Sequence, residues 1–483
     1  MNDVNLKDLE QNKSSEDDRY PKSVYLSFSM YQITWTIIYG TLGIFLFFYY
    51  HAVLGLEPWL ILVATIIYTI WDAINEPVFG YLLDRNFKWT RKWGRRFPWI
   101  VVSLIPWCLC LYLIFSAPPV VTKDNPWPTF WWLIISMIVF DTFITILDVN
   151  AGTLRADKFR TEKERQRYSS YFAPVDMIAQ VIGMTIPPLF LGFAGEGREG
   201  FAIMATLVAF IAIISGLLFL PGAREDKVII DRYYSREYER MGFFEGMKEV
   251  IKQKSFIAIF ISYSAFGVAT TLQTAMAVYV AVFILRTDPI MITIFFAVLL
   301  IGALLSVPIW QHFLKKANDS RKVYLYGGFA LMATTLPLTF FVGVIDLAIM
   351  FFVLGLALGG IWSLGVPVIM ANVQDEYVAR TGKNQKGVLL GTWAFVGRFT
   401  NFVDELLIAI VFGIVGFKAG YATYSELAGA VDNIDLVLWG IRFLIGVIPM
   451  CVLLIGILVF WKFYDITPEK FRENREKLKE LGF

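Results

Sequence analysis

Apolar runs long enough to cross a bilayer, each closed by a short polar stretch, recur at 24–50, 59–83, 99–117, 130–154, 169–194 and 199–221. They resume at 255–285, 290–314, 323–342, 347–373, 388–417 and 436–463. An α-helix needs about 20 mostly apolar residues to cross about 30 Å of hydrocarbon. The pattern therefore predicts an all-α membrane protein with twelve transmembrane helices in two six-helix bundles. It divides the chain into an N-terminal bundle over 1–221, a linker over 222–254, a C-terminal bundle over 255–463 and a tail over 464–483. In the linker, Phe243, Phe244, Met247, Val250 and Ile251 recur at helical spacing opposite Lys248, Lys252 and Lys254. That pattern reads either as an amphipathic helix on the membrane surface or as a plain tether. The tail opens with Thr467 as an N-cap and Pro468 as the first position of a charged helix.

Composition agrees with the pattern, since 57% of the residues are hydrophobic and only 17% are charged. The net charge of +2 argues against nucleic acid as a partner. Of the 43 Lys and Arg residues, 36 fall in the N-terminus, alternate loops, the linker and the tail, whereas only Lys123, Arg198, Arg286 and Lys418 lie on the opposite side. Basic residues are retained in the cytoplasm, so both termini are expected there, in the cell membrane. Cys108, Cys110 and Cys451 sit inside apolar runs and read as small hydrophobes, not as a disulfide or metal framework. The polar N-terminus has no cleavable leader pattern, so the first membrane helix is expected to act as its own insertion signal. With only His51 and His312, no nucleophile motif and no soluble insertion, the chain is expected not to be an enzyme.

Two sets of six helices around a long linker have the layout of the major facilitator superfamily, whose substrate sites lie between the halves near the membrane midplane. Polar residues inside the apolar runs then become candidates for chemistry, because an ionisable group at that depth costs about 2.5–3.5 kcal/mol on the insertion scale. Helix 2 carries Asp72, Asn75 and Glu76 at i, i+3 and i+4, oxygens suited to a small cation such as Na⁺. A structural pair with a helix-borne arginine is the alternative. Helix 4 carries Asp141, Thr145 and Asp148 on one stripe; Asp148 is expected to face the cavity or to pair with Arg155. Tyr31, Gln32, Thr34 and Thr36 on helix 1, Gln273 on helix 7, and Asp176 with Gln180 on helix 5 suit either a polar solute or helix packing. On helix 11, Arg398 stands near Asp404 and Glu405, as a counter-ion to a carboxylate across the cavity or in a closed pair with its neighbours. Beyond helix 2, Asp84, Arg85, Gly94 and Arg95 suggest a latch to neighbouring helix ends, one that breaks as the cavity opens.

The run D-A-I-N-E-P-V-F-G-Y-L-L-D-R starting at Asp72, followed by W-G-R-R-F-P-W-I, resembles the glycoside-pentoside-hexuronide:cation symporter family, which includes the melibiose permease. The likeness extends to T-I-L-D at Thr145, to Glu164-Arg165, and to D-E-Y at Asp375. By this resemblance Asp72, Asn75, Glu76 and Thr145 match the cation-site residues, Asp148 the acid that binds sugar, and Arg398 a helix 11 lysine linked to the cation site. Arg165 and Asp375 join the latch. The family's second sugar-binding acid aligns with Thr36, its helix 4 tryptophan with Gly152, and its helix 5 arginine is missing near Tyr171 to Ala173. The same resemblance takes in sodium-dependent lysolipid carriers.

The expectation is a cation-coupled symporter, monomeric and working by alternating access. Its coupling ion is Na⁺ or H⁺ at Asp72, Asn75, Glu76 and Thr145, with no other cofactor. Its solute is bound by Asp148, Arg398, Thr36, Tyr31 and Gln273, and a sugar or glycoside leads over a lysolipid or other amphiphile.

Overall fold

A computed structural model describes residues 20–83, 89–118, 120, 125–195, 197–227, 229–230, 243–317, 319–382, 386–400 and 402–480. Ten helices are long and apolar enough to cross a membrane among the described residues, which makes the chain an integral multi-pass membrane protein. They are α1 (Lys22–Val53), α2 (Pro58–Leu83), α3 (Phe97–Phe115), α4 (Pro126–Lys158), α5 (Glu162–Ala194) and α6 (Arg198–Ala223), then α7 (Lys254–Leu285), α8 (Ile290–Ala317), α10 (starting as Val344–Leu364) and α12 (Ile434–Phe463). The other two predicted spans are α9 (Ser320–Thr335), only 16 residues before a 3₁₀ turn that includes Pro337, and α11, which is broken into Lys386–Gly397 and Val403–Val415. The break encloses a 3₁₀ turn at Arg398–Thr400. Helix α10 runs on through a π-helical turn at Gly365–Met370 into Ala371–Thr381. The linker holds a helix at Phe243–Ile251 and the tail one at Pro468–Glu480.

The chain packs as two units, one of residues 1–42, 70–121 and 131–238, the other of 43–69, 122–130 and 239–483. In the first unit, α1 and α5 touch backbone to backbone, since a Cβ on Gly40 would lie 2.6 Å from the Gly183 carbonyl oxygen. Helix α1 is also tied to α6, where the Ser27 hydroxyl donates to the Leu218 carbonyl at 2.5 Å and accepts from the Gly222 amide at 2.8 Å. Lys158, at the end of α4, donates to the carbonyls of Gly222 (2.5 Å) and Arg224 (2.9 Å), satisfying orphan acceptors where α6 stops.

The second unit uses the same small-residue packing. A Cβ on Gly355 of α10 would stand 2.1 Å from the Leu299 carbonyl of α8, and one on Gly302 would stand 2.4 Å from that of Phe352. Without a hydrophobic force between helices in lipid, close backbone approach through small residues is what holds such pairs. At one end His51 donates or accepts at 2.9 Å with the Tyr279 hydroxyl inside a cage of Phe47, Phe412 and Phe417.

Candidate functional site

Helix α2 shows both of its environments. Ile70, Ile74 and Val78, four residues apart, are each about half exposed (54%, 54% and 47%), which makes the lipid-facing stripe. The opposite side carries Asp72 and Asn75, 9% and 2% exposed. Across from them α4 contributes Asp141 and Thr145, 2% and 5% exposed.

Asn75 joins the two helices. Its Nδ2 donates to Asp141 Oδ2 at 2.8 Å, to Thr145 Oγ1 at 3.0 Å and to the Asp141 carbonyl at 3.3 Å. Its Oδ1 is buried with no hydrogen-bond partner. A buried amide oxygen left bare costs about 1–3 kcal/mol unless something else takes it up. A small hard cation is one group that would do so, and the hard oxygens these two helices offer are Asn75 Oδ1, the Asp141 carboxylate, the Thr145 hydroxyl and Asp72, three residues before Asn75 on α2. These are hard oxygen donors with no imidazole or thiolate among them, a set that suits a hard cation better than a soft transition metal.

Glu76, one of the expected cation residues, lines a cavity with Asp148. Adjacent residues on a helix point about 100° apart, so Asn75 and Glu76 leave α2 in different directions. Asp141, which was not among the expected cation residues, is the carboxylate that Asn75 contacts. Its signal was the i, i+4 spacing to Thr145, which marks one face of α4 but not which helix that face meets.

The cavity has a volume of about 430 Å³. Its charged and polar walls are Gln32, Glu76, Asp148 and Arg155, and its aromatic walls include Phe28, Tyr31, Trp35, Tyr168 and Phe172. The Tyr31 hydroxyl donates a hydrogen bond to Asp148 Oδ1, and the Trp35 indole lies close to that carboxylate. Gln32 Nε2 reaches Asp176 Oδ1 at 2.8 Å and Thr36 Oγ1 at 3.3 Å.

The remaining solute candidates fall elsewhere. Thr36 is 5% exposed and sits in the α1–α5 crossing, where its carbonyl lies 2.7 Å from a Cβ built on Gly183, so helix packing claims it. Gln273 is buried and donates to the Ile445 carbonyl at 3.2 Å, tying α7 to α12. Arg398 lies in the 3₁₀ turn that breaks α11. Just beyond that break, Asp404 Oδ1 and Glu405 Oε2 are buried without hydrogen-bond partners, so the structure places no closed pair with Arg398 on those two atoms.

The latch is also rearranged. Asp84 and Arg85 lie outside the described residues. Gly94 adopts φ 90°, and a Cβ there would fall 1.9 Å from Glu225 Oε2. That same carboxylate oxygen accepts from the amides of Arg96 and Phe97, both at 2.9 Å, and so caps the start of α3 from the linker. Glu225 was not singled out in the sequence because nothing local links it to residue 94. Arg95 stands beside this cap. Arg165 Nε donates to the Phe159 carbonyl at 3.1 Å and fixes the turn between α4 and α5, next to a capping box of Thr161 and Glu164. In the second unit it is Glu376, beside Asp375, that is buried; it accepts from Gln253 Nε2 at 2.7 Å and from the Ser255 hydroxyl, and pairs with Lys470 Nζ of the tail helix at 2.5 Å.

A family model described as MFS/sugar transport protein matches residues 27–468. The chain belongs to this family. It is a transporter of the major facilitator fold and not an enzyme. A sodium-dependent lysophosphatidylcholine symporter 1-A of Danio rerio is 23% identical over 485 residues, covering 93% of this chain and 86% of the relative. The human sodium-dependent lysophosphatidylcholine symporter 1 is 23% identical over 85% of this chain and 77% of its own length. A sphingosine-1-phosphate transporter of Xenopus tropicalis is 21% identical over 84% of this chain and 80% of its own. Among solved structures, a D-xylose-proton symporter superposes with a TM-score of 0.59 at 10% identity, covering 92% of this chain and 98% of the other. The nucleoside transporter NupG gives 0.57 at 12% identity, covering 92% and 98%. At these identities the structural likeness speaks for the fold alone.

Proposed function

We propose that this transporter is a Na⁺-coupled symporter of a lysophospholipid-type amphiphile. The observation that carries the reading is the buried oxygen set of Asn75, Asp141 and Thr145 with the bare Asn75 Oδ1, found in a chain whose relatives include sodium-dependent lysophosphatidylcholine symporters. Na⁺ bound there neutralises Asp141 and links α2 to α4, so occupancy of the site favours one packing of the two helices over another. That differential affinity is what couples the ion to alternating access. The substrate enters the aromatic-walled cavity, whose polar end is Asp148, Glu76 and Arg155. A sugar or glycoside, which the sequence motifs put first, gives way to the amphiphile: the relatives' names support a lysolipid, and five aromatic rings on the wall suit an apolar chain as well as a polar head. The protein acts as a monomer, with both termini on the cytoplasmic side.

The test is uptake of radiolabelled lysophosphatidylcholine by proteoliposomes containing the purified protein, with an inward Na⁺ gradient against an equal K⁺ gradient. Several-fold stimulation by Na⁺ is expected. Uptake indifferent to Na⁺, or Na⁺-driven uptake of glycosides without lysophosphatidylcholine, overturns the reading.

A further inference from the structure

The cavity of the first unit carries charge of both signs, and two of its opposite charges, Asp148 and Arg155, form no ion pair with each other. Asp148 and Arg155 belong to the same helix, seven residues and about 10.5 Å of helix rise apart. Arg155 is near enough to act electrostatically on Asp148, yet among the described residues it enters no salt bridge. Instead the Tyr168 hydroxyl of α5 lies close to its guanidinium, in the same cavity wall. Both side chains remain accessible from the cavity.

The two ends of this gap differ in their surroundings. Asp148 is held by the Tyr31 hydroxyl and shares the cavity wall with the Trp35 indole, so a carboxylate is presented beside two electron-rich rings. A carboxylate with Trp and Tyr faces attracts an alkylammonium through charge and cation–π contact. Arg155 is a planar fork of donors, steadied from one side and otherwise open, which is how arginine recognises phosphate. A single ligand that bridges the gap must carry an anionic and a cationic group joined by a short spacer.

We propose that Arg155, positioned by Tyr168, binds the phosphate of a zwitterionic headgroup, while Asp148 with Tyr31 and Trp35 binds its ammonium group. The assignment rests on the lysophospholipid reading for its substrate class and adds the residues that choose the head. It gives a role to an arginine that faces the cavity outside any ion pair: the substrate's phosphate supplies its counter-ion.

The experiment uses headgroup fragments, so that it does not depend on transport. The purified full-length protein is melted in detergent with phosphocholine, choline or inorganic phosphate over a range of concentrations. Phosphocholine is expected to stabilise the wild type, and Arg155→Gln to raise its half-saturating concentration about tenfold or more, the loss of one charge-assisted contact, while leaving choline binding unchanged. Asp148→Asn is expected to weaken phosphocholine and choline and to leave phosphate unchanged. Arg155→Lys keeps the charge without the fork and should fall between. Arg155 is exposed, so Arg155→Gln should melt at the wild-type temperature without ligand. Phosphocholine that fails to stabilise the wild type, or that binds Arg155→Gln as tightly, overturns the assignment. Fragment binding that follows the expected pattern in a protein that takes up no lysophosphatidylcholine leaves the assignment standing and removes the transport reading.

Discussion

Asn75→Ala is the most direct perturbation of the cation pocket. The substitution deletes a donor to Asp141 Oδ2 at 2.8 Å and to Thr145 Oγ1 at 3.0 Å, together with the bare Oδ1. The contact the ion loses is the one to Oδ1, and a polar contact to a charged group contributes about 1.5–3 kcal/mol. At about 1.36 kcal/mol per decade, losing it weakens ion binding by about one to two orders of magnitude. The half-saturating Na⁺ concentration for uptake should therefore rise about 10- to 100-fold, with a smaller change in maximal rate once Na⁺ is saturating. The assay is the Na⁺ dependence of substrate uptake in proteoliposomes, paired with Na⁺-induced thermal stabilisation of the purified protein. Thr142→Ala is the control, since the Thr142 hydroxyl only bonds back to the Ile138 carbonyl of its own helix at 2.8 Å and should leave Na⁺ dependence unchanged. Asn75→Asp completes the series: it sets two carboxylates at the 2.8 Å contact, which cannot both stay ionised, so uptake should become proton-dependent. A half-saturating Na⁺ within twofold of wild type in Asn75→Ala, with the protein still monodisperse, would refute the pocket.

Other outcomes follow from contacts elsewhere. Gly94→Ala should lower the melting temperature more than the loss of one contact, because a Cβ falls 1.9 Å from Glu225 Oε2 and the backbone at φ 90° disfavours any side chain; adding Glu225→Ala should recover only the steric part. Gly355→Ala should destabilise by about 1–3 kcal/mol through overpacking against the Leu299 carbonyl, whereas Gly267→Ala, with nothing within 4 Å, should not, as read by fluorescence-detected melting. The tail clamp gives a pH signature. Burial works to lower the Lys470 ammonium, yet hydrogen bonds to Asp465 and Glu376 outweigh it and hold the group above its ordinary value. A raised lysine stabilises fully below the unfolded value of about 10.4 and loses that contribution as pH climbs through the folded one. The melting difference between wild type and Lys470→Met should thus be constant from pH 7 to pH 9, roughly speaking, and shrink above about pH 10.5; a difference that shrinks on acidification across neutrality would contradict the pairing.

By itself the chain determined the helices and their polarity. The runs of apolar residues fix where a backbone must satisfy its own hydrogen bonds in lipid, and a carboxylate in such a run must turn inward, so the burial of Asp72 and Asn75 and the turning of Asp148 to a cavity were legible in the order of residues alone. Tyr31 was legible as a neutral neighbour of that interior, though not as the donor to Asp148. What only tertiary structure decided is which faces meet. Asn75 reaches Asp141 and Thr145 of α4, whereas Glu76, next to it in sequence, lines the cavity with Asp148. Asp141 meets Asn75 because α4 packs on that side of α2. Thr36 sits in a glycine-mediated crossing, and Gln273 donates to a carbonyl on α12. Glu225 at Gly94 and Lys470 at Glu376 join residues more than ninety positions apart, and no local rule of spacing reaches so far. Burial by lipid is a property of each segment and can be read along the chain; the choice of partner is a property of the assembled packing, and it is there that the Asn75–Asp141–Thr145 cluster and the aromatic-walled cavity are made.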